Sequence, residues 1–263
     1  MPVDKTAIQI QPIAAFSDNY IWLLYNSQSR QACVVDPGDA QPVLAVLQEL
    51  GLELTDVIIT HHHFDHVGGL KELQSAYSPR VYGPSNPAIT GISDRVIAGD
   101  TIAVLGVEFQ VKEVPGHTLD HIAYFHDGEE PLLFCGDTLF AGGCGRLFEG
   151  TPAMMHKSLQ SLAQLPAATR VYCAHEYTLA NLAFAAAVEP DNTALRQRIA
   201  EAEATRASNR PTVPSSISLE LATNPFLRCS KGELRASLAL QGRLCEGSDS
   251  DVFATVRAWK DNF

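Results

Sequence analysis

Residues 59–69 read ITHHHFDHVGG: an apolar strand end runs into His61, His62, His63, Asp65 and His66, and two glycines follow. The preceding DVIIT is short and β-branched, so the chain leaves a sheet at the strand's carboxyl end, where loop side chains converge over a rigid scaffold. His61 and His63, two apart, point together in an extended segment. Asp65 and His66 add a hard oxygen and another borderline nitrogen. Imidazole with carboxylate suits zinc, iron or manganese rather than a thiolate site. One ion cannot use all four adjacent groups, so the stretch calls for partners elsewhere.

Later strand ends supply them. VPGHTLDH carries His117 and His121, LLFCGDTLF carries Asp137, and VYCAHEYT carries His175. His61, His63 and His117 can form a three-histidine site and Asp65, His66 and His175 a second, with Asp137 bridging the two through its two oxygens. Two divalent ions about 3.5 Å apart share a water, lower its pKa toward neutrality and polarise an acyl or phosphoryl oxygen. This is hydrolytic chemistry, with metal-bound hydroxide as nucleophile and Asp65 and Asp137 as the carboxylates of the catalytic centre.

The surrounding pattern is α/β. NYIWLLYN, ACVVDPG, RVYGP, VEFQVKEV, HIAYFH, PLLFCGD and RVYCAHE join DVIIT as short strands bounded by Gly, Pro or Asp. AQPVLAVLQELG, VGGLKELQSAY and PAMMHKSLQSLAQL are amphipathic helices, the last with Thr151 as N-cap and Pro152 first in the helix. From about Thr178 the chain turns Ala-, Glu- and Arg-rich and helical, around a Pro/Ser loop NRPTVPSSIS, which sets a boundary near 177.

The 263 residues, 46% of them hydrophobic, suffice for one substantial core and an appended domain. A net charge of −11 argues against general attraction to nucleic acid or an anionic membrane. The opening MPVDKTAIQIQPIAAF, with Asp4 and no long apolar run, matches neither a signal peptide nor a membrane span, so the expected compartment is the cytoplasm. The six cysteines (Cys33, Cys135, Cys144, Cys173, Cys229 and Cys245) form no CxxC pair and read as buried free thiols.

THHHFDH, PGHT, GDTLF and AHEYT, in this order, resemble the metallo-β-lactamase superfamily. SDNYIW, VVDPGDA, GDTLFAGGCGRLFEGT, CAHEYTLANLAFA, PTVPSS, NPFLR and RAWKDNF make the longer context similar to glyoxalase II, the hydroxyacylglutathione hydrolase family, over nearly the whole chain. The resemblance implies a four-layer αββα sandwich at residues 1–177 and a C-terminal α-helical domain at 178–263 that completes the substrate site. It implies hydrolysis of a glutathione thioester, chiefly S-D-lactoylglutathione, to glutathione and D-lactate, the second step of methylglyoxal detoxification. It also implies two divalent ions, zinc first with iron or manganese as alternatives, in a chain expected to be monomeric.

By the same resemblance Arg146, Tyr177, Arg257 and Lys260 correspond to glutathione-contacting positions, and Phe148 stands where some relatives carry Tyr. Arg257 and Lys260, three apart in a helical segment, suit a cationic grip on a carboxylate. The family's spacing leaves His62 and His121 off the metals. Asp36, closing CVVDPG, suits a hydrogen bond to a ligand histidine, and Asp120 departs from the family, which commonly has Gly there. Rival readings are a lactonase or β-lactamase-like hydrolase on the same ligands, and a glutathione persulfide dioxygenase using one iron.

Overall fold

The short apolar runs bounded by Gly, Pro or Asp become strands in the computed structural model, which describes residues 8–243 and 246–263. Asp4, with the rest of the first seven residues, and Cys245 lie outside the described residues. Internal packing divides the chain into two units. The first takes the described residues through Glu113, with Asp120–Gly128 and Phe134–Gly136; the second takes Val114–Leu119, Glu129–Leu133 and Asp137–Phe263.

In the first unit, β1 (Gln9–Ala15), β2 (Asn19–Tyr25), β3 (Gln31–Val35), α1 (Ala40–Leu50), β4 (Glu53–Ile58), α2 (Phe64–Val67), α3 (Leu70–Tyr77), β5 (Arg80–Pro84) and β6 (Asp94–Val96) build one sheet and its crossovers. The strands lie in sequence order. β1, β2 and β3 pair antiparallel, and β3 through β6 run parallel. Parallel neighbours cannot close through a hairpin, so α1 carries the chain from β3 to β4, and α2 with α3 carries it from β4 to β5. β7 (Thr101–Val104), β8 (Val107–Glu113) and β9 (Ile122–His126) follow, and with the end of β10 (Leu132–Gly136) they run in the order β10-β9-β8-β7.

All eight strands read from the sequence are present; the structure adds three two-residue strands in the second unit, β6 and β7 here, and the edge strand β1. Its QIQPIAA carries a proline and two glutamines, which an edge strand tolerates because one side of it makes no ladder bonds. Helix α1 starts where Asp39 accepts the Gln41 N–H and stops at Gly51 in the left-handed region. Its buried face, Ala40, Val43 and Leu47, packs with Ile21, Leu23, Val34, Val57, Ile59 and Leu73. Each fully buried Val or Leu contributes about 1.5–3 kcal/mol. That packing fixes the carboxyl ends of β3 and β4 side by side, and Asp36 N donates to Ile58 O at 3.0 Å.

In the second unit the start of β10 is followed across the sheet by β13 (Arg170–Cys173) and β14 (Ser215–Ser216), while β11 (Leu139–Phe140) and β12 (Gly143–Cys144) form a small hairpin. The helices are α4 (Pro152–Ala163), α5 (Thr178–Val188), α6 (Thr193–Ala207), α7 (Ile217–Thr223), α8 (Gly232–Leu240) and α9 (Asp249–Asp261). Thr151 caps α4 as its sequence predicts, accepting the Met154 N–H. The Pro/Ser stretch read as a loop instead supplies β14, which pairs with Arg170 and Val171, and the start of α7. Local composition gives no sign of a two-residue strand, because its partner is distant in sequence.

A buried polar network joins these helices to the β11–β12 hairpin. Arg198 donates to Glu220, Ser215 and Thr223. The other Glu220 oxygen accepts the Gly142 N–H at 2.8 Å and Asn224 Nδ2 at 3.0 Å. Asn224 also donates to Phe140 O and Gly143 O, Asn181 to Ala141 O, and Arg257 to Cys144 O. Every residue from Phe140 to Cys144 is therefore held through its backbone by a side chain from α5, α7 or α9 or from Asn224, which ends α7.

The five described cysteines are free and buried, as expected, and burial pushes the Cys173 and Cys229 thiols up to about 12. No helix among the described residues is long and apolar enough to cross a membrane. Removing Arg198 leaves the Glu220 carboxylate buried and uncompensated. Arg198→Leu is therefore expected to lower unfolding stability by about 3–5 kcal/mol, measured by urea denaturation against the parent chain.

Candidate metal centre

Asp36, just past β3, is a buried non-glycine residue in the left-handed region, φ +53°. Such a backbone costs about 1–3 kcal/mol and persists only where its surroundings over-determine it. Here the carboxylate does so. Its Oδ1 accepts the Thr60 N–H at 2.7 Å, and its Oδ2 accepts the Thr60 hydroxyl at 2.7 Å and stands 3.0 Å from His66 Nδ1. The Thr60 hydroxyl gives its proton to Asp36, so its lone pair faces His61 Nδ1, 3.0 Å away. A carboxylate and a lone pair can only accept; both histidines therefore carry hydrogen on Nδ1 and keep Nε2 basic.

The other groups of the opening stretch gather there. His66 Nε2 lies 3.4 Å from Asp65 Oδ2, which Asn19 Nδ2 holds by a 3.0 Å hydrogen bond. His63 stands at the N-cap of α2, its ring centroid 4.8 Å from that of His61. The close approach needs a glycine, since a Cβ on Gly38 would fall 1.9 Å from the Asp65 carbonyl oxygen.

The second unit holds a matching set. Asp137 follows β10, His117 follows the Pro115–Gly116 turn, and His175 follows β13. Asp137 Oδ2 is 3.4 Å from His117 Nε2, and its Oδ1 is 3.3 Å from His175 Nε2. One carboxylate thus faces two imidazoles through different oxygens. His117 Nδ1 lies 2.7 Å from the Arg146 carbonyl, an acceptor only, so this ring also keeps Nε2 basic. Gly145 lets that loop close in: a Cβ there would sit 1.9 Å from the Asp137 carbonyl oxygen. The Tyr177 ring stacks on His175 with centroids 4.7 Å apart, and Phe148 meets His117 edge-on at 5.2 Å.

These separations fit an ion better than direct hydrogen bonds. Two ligand atoms on a tetrahedral ion with bonds of about 2.0–2.1 Å stand about 3.4 Å apart, whereas N–H···O hydrogen bonds favour about 2.9 Å. The three imidazole-to-carboxylate distances are 3.4, 3.4 and 3.3 Å. Basic Nε2 atoms with carboxylate oxygens are donors for a divalent ion such as zinc, iron or manganese.

Comparison with known proteins agrees. Residues 17–175 match the metallo-beta-lactamase superfamily, and residues 176–263 match the hydroxyacylglutathione hydrolase C-terminus. A hydroxyacylglutathione hydrolase of Pseudomonas aeruginosa PAO1 is 56% identical over 257 residues, covering 97% of this chain and 100% of that protein. One of Chromohalobacter salexigens is 54% identical over 256 residues, with the same coverage. The chain belongs to the hydroxyacylglutathione hydrolase family. Among solved structures, ETHE1 from Myxococcus xanthus is similar, with a TM-score of 0.64, 26% identity and coverage of 97% of this chain and 98% of that one. The expected metallo-β-lactamase fold with a helical C-terminal region is thus borne out, as is the family itself.

The positions expected from the sequence to meet substrate also lie within the second unit. Arg257 Nη2 donates to Asp261 Oδ1 at 2.8 Å, and Arg146 Nε lies 4.0 Å from the same oxygen. Lys260 Nζ donates to Ala180 O, and burial followed by the charge of Arg257 lowers its pKa. The sequence predicts an open Arg257–Lys260 pair on one helical face. The helix is there, but Arg257 is 5% exposed, with Nη1 on Cys144 O and Nη2 on Asp261. Nη1 and Nη2 are taken by a carbonyl and by the carboxylate four residues on, while the buried Nε makes no hydrogen bond, and Arg146 carries the exposed charge.

Thr60 and Asn19 were not singled out from the sequence. A threonine ending a β-branched strand reads as strand composition, and Asn19 reads as the opening residue of the strand NYIWLLYN; their roles come from Asp36 and Asp65, distant in sequence. The expected hydrogen bond from a histidine to the Asp36 carboxylate is present, with His66 Nδ1 as donor. Because Asp36 orients two imidazoles, Asp36→Ala should weaken metal retention about 10–100-fold, and Thr60→Val, which breaks only the path to His61, should weaken it less. Competition with a chromophoric chelator measures both.

Proposed function

We propose that the chain hydrolyses the thioester of S-(2-hydroxyacyl)glutathione, chiefly S-D-lactoylglutathione, to glutathione and D-lactate. The observation that carries this reading is Asp137, whose two oxygens face different imidazoles in a chain whose full-length relatives are hydroxyacylglutathione hydrolases. In this reading His61, His63 and His117 would hold one divalent ion and Asp65, His66 and His175 the other, with Asp137 offering one oxygen to each. Zinc is the first assignment. Iron is the alternative, and a structural relative at 25% identity, TTHA1623, is known in a di-iron-bound form, with a TM-score of 0.60 over 82% of this chain and 100% of that one.

When bound, such a pair of ions lowers the pKa of a shared water toward neutrality and polarises the thioester carbonyl. The chain's own residues do the rest. Asp36 and Thr60 hold the proton on Nδ1 of His61 and His66, and the Arg146 carbonyl does the same for His117, so each ring presents one nitrogen in one orientation. Asn19 fixes the Asp65 carboxylate. Arg146, Arg257 and Lys260 supply positive charge for the carboxylates of glutathione, with Tyr177 and Phe148 as the aromatic walls. We assign catalysis to residues 1–177 and substrate binding to 178–263 together with the loop at Arg146. Free, buried cysteines suit a reducing compartment, in keeping with a cytoplasmic enzyme.

A lactonase or β-lactamase-like activity would not need the cationic cluster around Asp261, and a persulfide dioxygenase would not need Asp137 to face two imidazoles. Purified protein is expected to consume S-D-lactoylglutathione, followed as loss of thioester absorbance, and to lose that activity with its metal on chelation. A protein carrying two metals that leaves the thioester intact would sink the reading. Asp137→Ala should lose both metal and turnover. Arg146→Ala and Lys260→Ala should raise KM about tenfold with kcat little changed, as loss of a charge-assisted contact made equally in ground and transition states requires.

A further inference from the structure

The departure at Asp120 has a partner in the histidine that the metal assignment leaves over. His62 Nδ1 lies 2.9 Å from Asp120 Oδ1, and the other oxygen, Oδ2, accepts from Asn86 Nδ2 at 2.7 Å. The Asn86 amide is itself set, because its Oδ1 accepts the Ala88 N–H at 2.9 Å and so turns Nδ2 toward Asp120. The contact is the last of a series. Ile122 N donates to Thr60 O at 3.0 Å, the His121 ring stacks on His61 with centroids 4.5 Å apart and planes 15° apart, and Asp120 then takes His62. Residues 60, 61 and 62 thus meet 122, 121 and 120 in antiparallel order, all within the first unit. A glycine at 120 would supply no side chain for the third contact.

We propose that Asp120 is a positioning residue that acts through His62. Braced by Asn86, it closes a three-step clamp on the segment that presents His61 and His63, and so sets how tightly that segment holds metal. The His62 ring is tied off in the process. Its centroid is only 5.1 Å from that of His63, so the tether also keeps a third imidazole of the triplet from competing for the ion. This rests on the reading that His61 and His63 are metal ligands.

The test uses zinc-loaded full-length protein, with zinc release to a chromophoric chelator as the first readout and the ligand-field spectrum of the cobalt(II)-substituted protein as the second. Asp120→Ala is expected to release zinc about tenfold faster and to alter the cobalt spectrum at an unchanged melting temperature. His62→Phe should do the same, and the double variant should be no faster than either single one, since both remove one contact. Asp120→Asn, which keeps an acceptor for His62 Nδ1–H, should recover part of the retention. Release at the parental rate with a parental cobalt spectrum in Asp120→Ala and in His62→Phe would overturn the proposal, as would additive effects in the double variant. Should Asp120→Ala fail to fold, His62→Phe and Asp120→Asn decide the same question. A parent chain that retains no zinc at all would instead overturn the metal reading itself, and this inference with it.

Discussion

The Asp36 carboxylate is the constraint on which the rest of the candidate centre depends in the first unit. It holds its own backbone in an unfavourable left-handed conformation, ties the carboxyl ends of two parallel strands through Thr60, and orients His61 and His66. Without it, the acceptors that fix which nitrogen of either ring is basic are lost. The arrangement is possible because β3 and β4 are parallel neighbours, so residues just beyond both ends emerge on one edge. The helix that makes them parallel, α1, is held by the apolar core beneath it. Hydrophobic burial thus sets the strand ends, and a single carboxylate converts that placement into defined imidazole chemistry.

The second unit reaches a comparable precision by another route. Its loop after Asp137 passes through a run of glycines, which alone would be mobile. Instead, Asn181, Glu220, Asn224 and Arg257 hold its backbone from Phe140 to Cys144. The helical tail is therefore structural. Arg257, buried within it, places one nitrogen on the loop carbonyl and another on Asp261 beside Arg146.

Much of the site was legible in the chain itself. Imidazole and carboxylate crowded behind a β-branched strand, with matching groups at three later strand ends, announce a metal centre because few other chemistries need those donors together. The eight strands read from short apolar runs all form, since their pattern is local. What stayed hidden was polar, very short or dependent on distant partners: β1 with its proline, tolerated only at a sheet edge; β6, β7, β11 and β12, two to four residues each; β14, defined by pairing with Arg170 and Val171; and Thr60 and Asn19, ordinary in composition until Asp36 and Asp65 are brought beside them.

The sequence by itself thus determined the α/β class, the family, the donor types and the segments that carry them, because motif chemistry and hydrophobic periodicity are written locally. Only the tertiary structure decided how those groups are used. It chose the tautomers of His61, His66 and His117, buried Arg257 where an open grip was expected, and gave His62 to Asp120. His66, His117, His62 and Arg257 turn on partners 30, 29, 58 and 113 residues away, and His61 on Asp36 through its neighbour Thr60, all within reach only once apolar packing has fixed the strand and helix ends.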